Sequence, residues 1–221
     1  MARVFSGLLN VSYSQAYVLM RDMILLDLRD AFRGQTNGLC GASVRGALGL
    51  ITGLQSGYVS FIVDVLDAAP PLDDAWEEIV EASLTIPDEG EEFENDGRII
   101  TERNVALVEW GGGGCYPIPL SPGSYRVRYC ARGMDLGYNP GATLRGEDPV
   151  DFYSLAFWPA DPAPDCVIKQ TSEIAAYWHK HALSCHAAKG RAATIKPVIS
   201  EGTSNIGRER LLELLRSRGN D

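Results

Sequence analysis

Residues 124–132 (SYRVRYCAR) alternate without a break between two kinds of side chain, and this constrains the fold more than any other feature of the chain. Tyr125, Val127, Tyr129 and Ala131 fall on one side; Ser124, Arg126, Arg128, Cys130 and Arg132 fall on the other. A period of two is the signature of a pleated strand whose faces meet different surroundings. Residues 58–66 repeat it, with Val59, Phe61, Val63 and Val65 opposed to Tyr58, Ser60, Ile62 and Asp64. Such strands need a second layer to cover the apolar side. The chain's 23 glycines and 12 prolines cut it into short elements and exclude a helical bundle.

Further strands are expected over 11–20, 47–52, 105–110 and 150–158. Residues 23–32 (MILLDLRDAF) fit a strand or a short helix. Residues 33–46 (RGQTNGLCGASVRG) hold four glycines and read as a loop. Asp74 with Glu77 has the spacing of a capping box, so one helical turn is expected there before a strand. An exposed acidic loop is expected over 88–96, a glycine break over 111–114 and a long loop over 133–149. Thr171 or Ser172 caps a helix running to about 188, with Glu173 in its first turn. Residues 206–218 are expected to form a second helix, on which Leu211, Leu212, Leu214 and Leu215 would share one face. Many short strands followed by late helices, with no βαβ alternation and no internal repeat, predict an antiparallel β-sandwich with one or two peripheral helices. The sandwich domain spans 1–189, including the helix at 172–188. An irregular basic tail covers 190–221.

The formal net charge is −9 and distributed unevenly. From His179 onward, eight Lys and Arg face four acids, leaving −13 on the remainder. An acidic body repels nucleic-acid phosphate and attracts a basic protein partner; the plain alternative is that the charge keeps the chain soluble. No run of 18 apolar residues exists, so no membrane span is expected. Asn10, Ser12, Tyr13, Ser14 and Gln15 interrupt any signal-peptide core. Five cysteines without a CxxC pair suit reduced thiols in a cytoplasmic protein better than a disulfide framework.

Three constellations could carry chemistry. His179, His181, Cys185 and His186 lie within eight residues. On one helix they point to opposite sides, and no HExxH or paired Cys/His spacing completes a zinc set, so no metal and no cofactor is expected. The loop around Cys40 offers a thiol enzyme: Cys40 as nucleophile, His179 as base, Gln35 as oxyanion donor, with Asp151 or Asn37 orienting the histidine. Its plain alternative is a buried thiol in a glycine-rich turn. Arg126, Arg128 and Arg132 share a strand face; Arg126 and Arg128, ~7 Å apart, could grip an anionic ligand together, with Arg132, Gln35 and Asn37 as further binding residues. Cross-strand pairing with acids is the alternative.

Several pieces together resemble a family of uncharacterised actinobacterial proteins. They are Gly34-Gln35 with Asn37-Gly-Leu-Cys-Gly-Ala42, Tyr125-Arg-Val-Arg-Tyr129 running to Gly133-Met-Asp135, Phe157-Trp-Pro159 with Pro162, Pro164 and Asp165, and Thr171-Ser172 leading to Ala175-Ala-Tyr-Trp-His179. That family carries no activity across. Ser12-Tyr13-Ser14-Gln15, and Pro119-Leu120 followed by Gly123-Ser-Tyr125, are similar to the competence-protein-J family, inhibitors of a DNA-entry nuclease. This implies a β-sandwich that binds and blocks a nuclease. The expectation is therefore a non-catalytic binding protein, an inhibitor or immunity-type partner of a basic protein. A cysteine-dependent hydrolase or transferase and a binder of a small anion are the rivals, and the 206–218 helix offers a homo-oligomer contact.

Overall fold

The computed structural model describes residues 2–20, 26–88, 91–95, 98–102, 105–139 and 148–185. The strands are β1 (Ala2–Ser12), β2 (Gln15–Met20), β3 (Cys40–Gly41), β4 (Ala47–Ile51), β5 (Ser56–Val65), β6 (Glu78–Ile86), β7 (Glu91–Asn95), β8 (Arg98–Glu102), β9 (Val105–Glu109), β10 (Cys115–Ile118), β11 (Gly123–Arg132), β12 (Phe152–Pro159) and β13 (Cys166–Lys169). The helices are α1 (Leu28–Ala31), α2 (Met134–Tyr138) and α3 (Glu173–Cys185). The chain is mainly β, as its alternation predicts.

Eleven strands form one sheet with two arms. One arm runs β1-β5-β12-β11-β6-β13; the other holds β10, β9, β2, β4 and β3. They join at the turn between β1 and β2, where Ser12 and Gln15 are the single register pair. Across the interior, the Tyr129 hydroxyl of β11 donates to the Ile51 carbonyl of β4 at 3.1 Å, and the Gly46 N–H donates to Thr85 of β6 at 2.9 Å. Leu9, Val18, Leu50, Phe61, Val80, Val127 and Phe157, drawn from both arms, belong to one buried cluster. The arms thus share an apolar interior as sandwich layers do. The sheet is mixed rather than wholly antiparallel, because β12 runs parallel to β5. A parallel neighbour needs a long crossover, and the chain between these strands supplies one that contains β6 and β11.

The predicted alternation holds where it was strongest. Val59, Phe61 and Val63 are fully buried on β5, as are Val127, Tyr129 and Ala131 on β11. Elsewhere tertiary partners decide. The expected strand at 11–20 is two strands around a two-residue turn. Of the ambiguous stretch at 23–32, only α1 is helical, and 23–25 lie outside the described residues. No helical turn precedes β6: Asp73, not Asp74, accepts the Ala75 N–H, and the Glu77 carboxylate accepts the Gly133 N–H at 2.8 Å instead of folding back. The acidic segment expected as a loop contains β7, which pairs with β8 as a separate hairpin. The long loop at 133–149 opens with α2, and the glycine break holds a 3-10 turn at Trp110–Gly112. The late helix starts one residue after its Ser172 cap, whose Oγ accepts the Ala175 N–H at 3.3 Å. The tail from 190, the helix at 206–218 and its oligomer contact lie outside the described residues.

The β1–β2 turn places two non-glycine residues, Tyr13 and Ser14, at φ of 56° and 58°. A type I′ hairpin turn requires that region at both positions and favours glycine in the second. Ser14 uses its backbone here, donating to Gln55 and accepting from Thr52. Ser14→Gly keeps those bonds and relieves the φ strain. It is expected to stabilise the protein by about 0.5–1 kcal/mol, part of the gain being offset by the freer unfolded chain. Urea unfolding measures this, and a loss of stability counts against the turn geometry.

Candidate functional site

The arginine row is real but turned inward. Arg126 and Arg128 sit on β11 beside Glu81 of β6, the residue directly opposite Arg128 in register. Arg126 Nη2 reaches Glu81 Oε2 at 3.0 Å, while Arg128 Nε and Nη2 reach Oε1 at 2.9 and 2.8 Å. Arg126 Nη1 also donates to Ser83 Oγ and to the carbonyls of Ala163 and Pro164. Arg128 Nη1 donates to the carbonyls of Pro70 and Pro71, and its guanidinium lies 5.5 Å from the Trp158 ring centre. Proline-rich connections therefore roof this face, and both arginines are buried. That corrects the expected anion grip: one carboxylate and four carbonyls already occupy the two guanidinium groups. Arg132 alone of the three is exposed, stacked 4.8 Å over Phe152.

The Cys40 loop is fastened from three directions. Asn37 Oδ1 accepts the N–H groups of Leu39 (3.2 Å) and Cys40 (2.8 Å), holding the turn from within. The Gln35 amide spans the next step, donating to the Cys40 carbonyl and accepting the Ala42 N–H. Outside, Asp165 Oδ2 accepts from Thr36 N (2.7 Å), Thr36 Oγ1 (2.9 Å), Asn37 N (2.7 Å) and Asn37 Nδ2 (3.1 Å). From α3, His179 Nδ1 accepts the Gly38 N–H at 2.9 Å. The loop meets the helix so closely that a Cβ on Gly38 would lie 2.0 Å from the Trp178 carbonyl oxygen.

This geometry overturns the thiol-enzyme alternative. Cys40 has no exposed surface, and burial pushes its thiol up to about 12, with the Asp165 charge adding to the shift. A nucleophilic cysteine needs a thiolate near neutrality and access for a substrate. His179 is committed to the Gly38 N–H, and burial lowers its pKa, which Asp165 partly opposes. Gln35 and Asn37 hold backbone groups of their own loop rather than facing a reacting atom or a ligand. Asp151, an expected partner for His179, lies in another part of the interior: its Oδ2 accepts the Leu54 N–H (3.0 Å) and the Tyr153 hydroxyl (2.6 Å). Burial raises the Asp151 pKa.

Helix α3 is pinned at its start by two carboxylates. Glu78 accepts the N–H groups of Thr171 (3.0 Å) and Ser172 (2.6 Å); Asp135 of α2 accepts those of Glu173 (3.1 Å) and Ile174 (3.0 Å). These N–H groups have no intrahelical acceptor, so an acid suits them. Burial of Glu78 raises its pKa against the opposing pull of these bonds. Glu78 and Glu81 are organising residues that sequence reasoning missed, and Asp165 and Asp135 stand in its motifs without a role. The signal for Asp165 was its place directly after Pro162 and Pro164, where a stiff chain holds a carboxylate still.

The histidine cluster separates. His179 is buried, while His181 is exposed and stacks on Tyr177 with ring centres 6.4 Å apart. Cys185 ends the described part of α3, and His186 lies outside the described residues. Among the described residues, no group of three or more His, Cys, Asp or Glu is placed to hold a metal ion. No helix among them is long and apolar enough to cross a membrane.

No protein-family model matches the chain, and no curated protein matches it. Among solved structures, the chain is similar to one titled crocagin biosynthetic gene J, with 14% identity over 73% of this chain and 100% of that chain and a TM-score of 0.41.

Proposed function

We propose that the protein is a non-catalytic binding protein, an inhibitor or immunity-type partner of a basic, nuclease-like protein. The acidic β7–β8 hairpin carries this reading. Among the described residues it pairs only with itself, outside the eleven-stranded sheet. The nine residues 88–96 contain six acids, and the register sets Glu91 opposite Glu102. Concentrated negative charge steers encounter with a basic groove at rates that fall with salt. The similarity to the competence-protein-J family points to the same kind of partner. The rivals lose their support, since Cys40 is sealed and the Arg126–Arg128 pair is occupied by Glu81.

Affinity capture from native extract tests the proposal, with wild-type protein beside a variant carrying Glu91→Lys, Glu92→Lys and Glu94→Lys. The expected result is one stoichiometric basic protein, retained at low salt, released as salt rises, and lost with the variant. Repeated capture of no stoichiometric protein, or equal capture by both baits, overturns it.

A further inference from the structure

We propose that the His179–Gly38 contact is a proton-sensitive latch, closing α3 onto the Cys40 loop near neutral pH and releasing it in mild acid. This goes beyond the binding role and does not depend on it. The Gly38 N–H donates to Nδ1, so the ring is a hydrogen-bond acceptor at that atom and its single proton sits on Nε2. Nε2 is buried and has no hydrogen-bond partner among the described residues. Adding a proton at Nδ1 converts acceptor to donor. Two donors then face each other 2.9 Å apart, with no room between, because the loop already touches the helix backbone at Gly38. The protonated ring cannot stay where the neutral one fits.

The surrounding charges do not cancel this. Asp165 faces His179 from the stretch entering β13, but its Oδ2 already accepts four donors from Thr36 and Asn37. The loop contributes the Cys40 thiol, which burial keeps neutral, and Arg126 behind it on β11 is turned onto Glu81. On α3 itself, Lys180 and His181 are exposed, and Glu173 lies at the helix start beside Glu78 and Asp135. The direction of the effect follows. His179 has a lower pKa folded than unfolded. Its contribution to the closed state is complete above about pH 6.5, the ordinary histidine value, and is lost as pH falls through the folded pKa.

Release uncovers the Gly38 amide, so amide hydrogen exchange reads the latch directly. Protection at Gly38, corrected for the intrinsic rate, is expected to fall severalfold, by at most about tenfold, from about pH 7.5 to about pH 5.5, while Val127 in the core stays protected. His179→Asn retains an acceptor without titrating in this range, so its Gly38 protection is expected to be flat with pH. Should that variant fail to fold, proton NMR of the wild type decides: the His179 ring titrates below about 6.5 and the Gly38 amide resonance moves with the same midpoint. The proposal is overturned by unchanged Gly38 protection in the wild type, by an equal fall in the folded variant, or by a Gly38 resonance that does not follow the histidine.

Discussion

Glu81→Ala is expected to destabilise the protein by about 3–5 kcal/mol, the largest loss from any single side-chain truncation argued for this chain. Glu81 stands between two arginines whose side chains are 9% and 10% exposed, and its own is 14% exposed. Truncation leaves both guanidinium charges away from water with only neutral partners. The backbone carbonyls of Pro70, Pro71, Ala163 and Pro164 remain, but a carbonyl dipole does not neutralise a cation. The cost is that of a buried charge left without its counter-ion, which exceeds what the intact triad adds to stability. A second variant separates these quantities. Replacing Glu81 with Leu and both arginines with Met removes all three charges while keeping apolar volume, and is expected to recover most of the loss. Urea unfolding reads both: the midpoint drops by roughly 1–5 M for Glu81→Ala, given an m-value of about 1–3 kcal/mol/M. A loss below about 1 kcal/mol places the triad in the class of exposed ion pairs and rejects the inward orientation of the row.

The same triad shows where the sequence is legible and where it stops. The alternation in 124–132 correctly separates Tyr125, Val127, Tyr129 and Ala131 from the arginines, because side-chain direction in a strand is a local property. It is silent on what covers the second face. That cover comes from Pro70 and Pro71 and from Ala163 and Pro164, between about 35 and 60 positions away along the chain, so the arginines look solvent-facing in sequence and are buried in space. The Ser172 cap is legible for the same local reason, whereas the Glu78 and Asp135 carboxylates that pin α3 come from β6 and α2. Asp74 and Glu77 fail in the opposite sense. Their spacing matches a capping box, but Glu77 is drawn away by the Gly133 N–H, and a distant backbone donor overrides the local pattern. At the Cys40 loop, Gln35, Asn37, Gly38, Cys40 and His179 do meet, whereas Asp151, expected beside them, lies with Leu54 and Tyr153. The role of those that meet differs from the expected one, because burial decides between a reactive thiol and an inert one, and burial is a property of the whole fold.

Gly38→Ala is the sharpest test of how that loop and α3 depend on each other. Gly38 is not held at positive φ, so alanine brings no backbone strain there and the effect is steric. The added Cβ would lie 2.0 Å from the Trp178 oxygen, 2.2 Å from its carbonyl carbon and 2.7 Å from the His179 nitrogen. All three atoms belong to the helix backbone, which cannot rotate aside as a side chain can. Loop and helix must separate, which lengthens or breaks the Gly38–His179 bond and loosens Ala175 and Ala182 from the core. Overpacking costs about 1–3 kcal/mol and the lost hydrogen bond about 1 more, for an expected total near 3 kcal/mol. Gly34→Ala, in the same loop, is the control: φ there is +77° and the Cβ meets nothing within 4 Å, so backbone strain of about 1–2 kcal/mol is its whole expected cost. The two variants differ in kind as well as size. Gly38→Ala exposes the half-buried Trp178 and raises exchange along α3 at every pH, with the latch already open, whereas Gly34→Ala lowers global stability and leaves α3 protected. Equal losses in the two variants, with α3 exchange unchanged in Gly38→Ala, show that the helix does not rest on the loop and remove the structural basis of the latch.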